Sequence, residues 1–226
     1  MGWSTPIDLY CERTDPSFWA EPVNASTNAA FLVAALLAFL EWRRGARRDM
    51  PLLALIGLVA LVGLGSFLFH TLATRGAALF DVIPIAVFIC AYFLLALRRF
   101  LGLRMLPALA VLGAFMLASS AVSWLVPAGA LNGSVPYLPA LTAMVVIGGL
   151  VRRQPEGKPV LLAAVLFTVS VALRSVDSLM CDAFPLGTHF LWHTLNAVVL
   201  YLLLHAGMRA VRVGAPRLPR DERRTT

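Results

Sequence analysis

Ser66, His70, Asp81, His189 and His193 are polar or ionisable, yet they stand in sequence apolar enough for a membrane interior. Ionisable groups at that depth are costly and usually functional. Ser66 and His70 are four residues apart in GLGSFLFHTL, and His189 and His193 are four apart in GTHFLWHTLN. Residues at that spacing share one helix face. Three neutral imidazoles can hold a zinc ion and leave its fourth position open, the arrangement of catalytic rather than structural zinc. Zinc lowers the pKa of a bound water to about 7. Beside it, Asp81 is placed to accept a proton and return it to a leaving group. Ser66 is placed to donate to a developing oxyanion. The chemistry implied is hydrolysis of a lipid that enters from the bilayer.

Each residue also has an ordinary reading. A single membrane histidine can be a helix–helix hydrogen-bond partner, and Ser66 can bond back to its own backbone. Asp81 is harder to explain away, because an unpaired carboxylate at mid-membrane costs about 2.5–3.5 kcal/mol on insertion scales. His205, twelve residues beyond His193, is rotated by roughly 120° on a helix and reads as structural. Asn196 falls on the His193 face, either as an orienting partner or as helix–helix glue. Arg174 and Asp177, three apart, are expected to pair with each other. Cys90 reads as a packing residue.

The elements that must carry these groups are set by composition. The 226-residue chain is 59% hydrophobic and 14% charged, with mean hydropathy +0.79, far from the roughly 25% charged residues of a soluble domain. Seven apolar runs are long enough to read as helical spans: 24–41, 51–71, 77–97, 104–126, 136–151, 159–178 and 187–208. The runs are continuous rather than alternating, which favours an all-α seven-helix bundle over a barrel. The fifth is the shortest.

Charge supplies the orientation. Arg43, Arg44, Arg47 and Arg48 follow span one, Arg98, Arg99 and Arg104 follow span three, and Arg152, Arg153 and Lys158 follow span five. Arg209, Arg212, Arg217, Arg220, Arg223 and Arg224 follow span seven, leaving only Arg13, Arg75 and Arg174 on the other side. This bias predicts an N-terminus outside and a C-terminus in the cytoplasm. It also reads the net charge of +7 as a topology signal, not a nucleic-acid surface. Residues 1–23 form an acidic outer segment without the pattern of a cleavable leader, so the first span is expected to remain. Residues 24–208 are the hydrolase domain and 209–226 a basic cytoplasmic tail. All five chemical residues then fall at the outer helix ends. The Arg-rich composition suits a bacterial inner membrane. The expected partner is a membrane lipid, with no obligate protein partner implied. Cys11 and Cys181 fall on the outer side, where they form a bridge or remain two thiols.

Together, YCE at Tyr10–Glu12, EPVNASTN at Glu21–Asn28, GSFLFHTL at Gly65–Leu72, FDVIPI at Phe80–Ile85 and HFLWHTLNA at His189–Ala197 resemble the alkaline ceramidases, within a wider group of seven-span hydrolases. The resemblance implies zinc held by His70, His189 and His193, with Ser66 and Asp81 positioning water and moving protons. It implies cleavage of the amide of ceramide-like sphingolipids to a sphingoid base and a fatty acid. It also implies a Cys11–Cys181 disulfide. Animal members carry Asp-Trp-Cys-Glu as part of a calcium site. Here Leu9 and Tyr10 replace the Asp and Trp, and Thr14 stands where Asn is expected. Asp8, Glu12, Asp15 and Glu21 remain as the calcium ligands to expect, foremost Glu12 and Glu21. The rival readings are a related zinc hydrolase acting on another ester or N-acyl lipid, and a receptor with structural zinc. An ion transporter predicts charges running through to the inner face, which are missing here.

Overall fold

The computed structural model describes residues 2–45, 49–127 and 129–214. Among these the chain is helical, with no strand beyond one isolated bridge. Six helical stretches are long and apolar enough to cross a membrane. The first is α1 (Pro22–Thr27) continued by α2 (Ala29–Gly45); then come α3 (Met50–Leu72), α4 (Arg75–Arg99) and α5 (Met105–Leu125). After two 3-10 turns and α6 (Leu138–Leu150) come α7 (Gly157–Met180) and α8 (His189–Gly214). Each expected span coincides with a helix, but the fifth falls on α6, which has 13 residues. At 1.5 Å per residue that is about 20 Å, short of a hydrocarbon core of about 30 Å. The expected tail begins inside α8, which carries Arg209 and continues to Gly214; residues 215–226 lie outside the described residues.

Caps set the helix ends. At one end of the bundle, Asp49 accepts from Leu52 N at the start of α3 and pairs with Arg99 at the end of α4, 2.7 Å away. Its carbonyl also takes the Trp42 indole of α2. At the other end, α3 stops at Ala73, whose φ of 43° is left-handed, and the Thr74 hydroxyl caps α4. The N-terminal segment lies across this turn. Ile7 N donates to Ala73 O, and Arg75 N and Gly76 N donate to Thr5 O and Trp3 O. The start of α1 is capped from the same segment, because the Glu12 carboxylate accepts from Val23 N at 2.6 Å and Asn24 N at 2.7 Å.

Helices α3 and α4 touch closely at one point. A Cβ added to Gly65 would stand 1.8 Å from the Phe80 carbonyl oxygen, so only glycine fits. Pro84 lies inside α4 and has no N–H to donate four residues back to Phe80 O. The freed oxygen therefore turns to the Gly65 backbone, a Cα–H···O type of contact. The next residues along the two helices are Ser66 and Asp81.

Candidate metal centre

His70 ends α3, and His189 and His193 begin α8. All three are buried, at 0%, 2% and 1% exposure. One ring nitrogen from each lies within 4.8 Å of the other two. Among the described residues, this is the one group of three or more His, Cys, Asp or Glu side chains whose donor atoms converge in this way.

Hydrogen bonds assign the ring nitrogens. His70 Nδ1 lies 2.5 Å from Glu21 Oε2, so Nδ1–H donates to the carboxylate and the Nε2 lone pair is free. The Thr27 hydroxyl donates to Val23 O at 2.8 Å, and its oxygen faces His193 Nδ1 at 3.0 Å. His193 Nδ1–H therefore donates to it, again leaving Nε2 free. His70 Nε2, His193 Nε2 and His189 Nδ1 are all buried without a hydrogen-bond partner. A buried polar atom without a partner costs about 1–3 kcal/mol. Three such atoms pointing at one another fit a cation held between them. A carboxylate or hydroxyl behind a ligating imidazole is the usual outer support of a zinc site.

Asp81 and Ser66 flank the trio. Asp81 is partly buried and stands beside Ser66, because the residues just before them, Gly65 and Phe80, are in direct contact. It does not join the converging donors. The protein therefore offers three ligands, and the fourth position of a tetrahedral ion falls to something other than a described side chain.

Above the histidines lies a cap made by the N-terminal segment and pinned by the Cys11–Cys181 bridge. Tyr10 stacks on His189, with ring centroids 3.5 Å apart and planes at 16°. Its hydroxyl accepts from Arg174 at 3.2 Å, and burial pushes its phenol well above the usual range. The next residue, Cys11, is bonded to Cys181, the pairing that the resemblance implies. The expected Arg174–Asp177 pair does not form, because each has other partners. Arg174 donates to Asn132 O at 2.6 Å and Ser134 Oγ at 3.0 Å, among the rings of Tyr10, Tyr137 and Trp192. Asp177 accepts from the backbone N–H groups of Thr188 and His189 at 2.6 and 2.9 Å, and of Cys11 at 3.2 Å. It thus caps α8 from outside and ties the cap to the helix that carries two of the histidines.

The acidic segment does not fit calcium. Asp8 is exposed, and no three of Asp8, Glu12, Asp15 and Glu21 bring their carboxylate oxygens together. Glu12 is spent on the α1 backbone, and its burial there raises its carboxyl pKa. Asp15 accepts from Ser17 N at 2.7 Å. Glu21 holds Arg13, His70 and Asn24. Burial works to raise the Glu21 pKa, but the His70 and Arg13 contacts outweigh it and hold the carboxyl below its ordinary value.

Away from the centre, His205 Nδ1 contacts Glu41 of α2 at 2.9 Å, in keeping with a structural role. Cys90 is a free thiol. Asn196 lines an apolar cavity inside the bundle, together with Val62, Ile85 and Trp192. Val62, Ile85 and Asn196 are each about one turn below Ser66, Asp81 and His193. The cavity wall continues along α4 to Phe100, about 22 Å from Ile85 at 1.5 Å per residue.

No curated protein matches the chain. The family model described as Ceramidase matches residues 10–215.

Proposed function

The chain belongs to the ceramidase family, and we propose that it is a zinc-dependent amidohydrolase of the membrane, cleaving ceramide-like N-acyl lipids to a sphingoid base and a fatty acid. The observation that carries this reading is the set of three buried, unpartnered imidazole nitrogens beside a carboxylate–hydroxyl pair. A structural ion would be closed by a fourth protein ligand, so the three-donor count favours catalysis over a receptor with structural zinc.

A zinc ion held by His70, His189 and His193 would supply a water ionisable near neutral pH and would polarise the substrate carbonyl. Asp81 takes the proton of the attacking water and delivers it to the leaving nitrogen, which an amide requires because an unprotonated amine anion is a poor leaving group. Ser66 stands beside Asp81 and donates to the oxyanion as it develops. Glu21 and Thr27 keep the His70 and His193 rings in the tautomer that turns Nε2 inward. Tyr10 shields the His189 ring from solvent. The apolar cavity one turn below accepts an alkyl chain of the substrate, which sets the scissile amide at the depth of Asp81.

We infer from the loop charges that this centre faces the outer side of its membrane, and from the Arg-rich composition that this membrane is a bacterial inner one. The test is metal analysis of detergent-purified protein, then product analysis by mass spectrometry on N-acyl and ester lipids. We expect zinc near one per chain, release of fatty acid from N-acyl sphingolipids, and loss of both in His189→Ala and His193→Ala. Undiminished zinc and hydrolysis in those variants would sink the proposal. Ester cleavage without amide cleavage would move it to a different lipid hydrolase.

A further inference from the structure

Arg13 is nearly buried, at 8% exposure, and each nitrogen of its guanidinium has a partner. Nε donates to Glu21 Oε1 at 2.5 Å. One terminal nitrogen donates to the backbone carbonyls of Asp15 at 3.2 Å and Ser17 at 3.4 Å. The other donates to the carbonyl of His70 at 2.9 Å. A carboxylate and three carbonyl oxygens around a buried positive charge form the donor set of a hard cation. Here the charge is covalently part of the chain.

Two of these contacts meet in one residue. The His70 carbonyl belongs to the last turn of α3, where helix carbonyls lack intrahelical partners and the helix dipole is negative. Arg13 caps it. Glu21, held by Arg13 through Oε1, uses Oε2 to hold the Nδ1 of the same His70. The guanidinium thus grips His70 at its main chain directly and at its ring through Glu21. The fork geometry of arginine suits this, because a point charge could not serve both directions at fixed angles.

We propose that Arg13 is a built-in cation that takes the place of a divalent ion in the N-terminal segment, and that it is a positioning residue for the metal centre, acting on His70 through Glu21. The proposal rests on reading His70 as a zinc ligand. Wild-type protein then needs no calcium to close the cap or to hold its zinc.

The experiment uses full-length protein in detergent. Calcium binding is followed by isothermal titration, and thermal melting is compared in calcium-free and calcium-containing buffer with zinc kept saturating. Zinc affinity is measured by competition with a chromogenic chelator. We expect no saturable calcium binding and the same melting midpoint in both buffers for wild type. In Arg13→Gln we expect zinc affinity to fall roughly 10- to 100-fold, the range for loss of an outer support. Arg13→Lys, which keeps the charge but not the fork, should fall between the two, and it serves as the reading if Arg13→Gln does not fold. Saturable calcium binding to wild type, a melting midpoint that depends on calcium, or wild-type zinc affinity in Arg13→Gln or Arg13→Lys would overturn the proposal. His70→Ala separates the two ideas. Unchanged zinc affinity there removes the histidine reading, whereas the calcium measurements bear on Arg13 alone.

Discussion

At the scale of single residues, the centre depends on groups that touch no reactant. Asp177 is the sharpest case, fully buried and accepting from three backbone N–H groups on two segments far apart in sequence. Replacing it with Ala strands those donors, at roughly 1–3 kcal/mol for each buried one, and unseats His189. We expect Asp177→Ala to melt lower and to bind zinc more weakly, while Asp177→Asn, which keeps acceptor oxygen, loses less. Chelator competition and thermal melting on the same preparations check this, and a variant with wild-type values in both would refute it. The three histidines were legible in the sequence because an imidazole in an apolar run is anomalous and a spacing of four defines a face. Arg13, Arg174 and Asp177 were not, because their partners are main-chain groups or side chains remote in sequence, and no spacing records such contacts. A signal did exist. Arg13 and Arg174 were two of the three cations that broke the charge bias, and both are buried around the centre, while Arg75 is exposed. The three-residue spacing of Arg174 and Asp177 misled, because proximity on a helix permits a pair without requiring one.

At the scale of elements, the apolar runs gave the helices but not their junctions. Span three lengthens to Arg75 at its start because Thr74 caps it, and α6 begins two residues into its run, where the second 3-10 turn (Val135–Tyr137) ends. The α3–α4 contact was hidden for another reason. A glycine in an apolar helix has many ordinary uses, and its closeness to a freed carbonyl shows only when the two helices are side by side. That contact sets the Ser66–Asp81 pairing, so Gly65→Ala tests it. The added Cβ would meet Phe80 O at 1.8 Å, forcing the helices apart. We expect a large drop in kcat with zinc content retained, because no ligand to the ion is altered. Full turnover in Gly65→Ala would show that the Ser66–Asp81 spacing is not what limits the reaction.

At the scale of the whole molecule, a bundle closed by one clasp explains why so much of the N-terminal segment is engaged. Tyr10, Cys11, Glu12 and Arg13 are consecutive, and they reach His189, Cys181, the start of α1 and the end of α3 in turn. Opening the Cys11–Cys181 bond should loosen all four attachments together. We expect a lower melting midpoint and reduced hydrolysis for Cys11→Ser and Cys181→Ser, and for wild type under reductant. Unchanged activity in both variants, with the bridge verified in wild type by thiol labelling, would make the clasp dispensable. The clasp joins residues separated by 170 positions, and the ion site is divided the same way, with His70 early and His189 and His193 late. During synthesis the first half of the chain therefore leaves the ribosome with one ligand, an open cap and a thiol waiting for its mate. On the proposed function, metal capture and closure would both wait for the last helix, so an interrupted chain would have no reactive centre to release into the membrane.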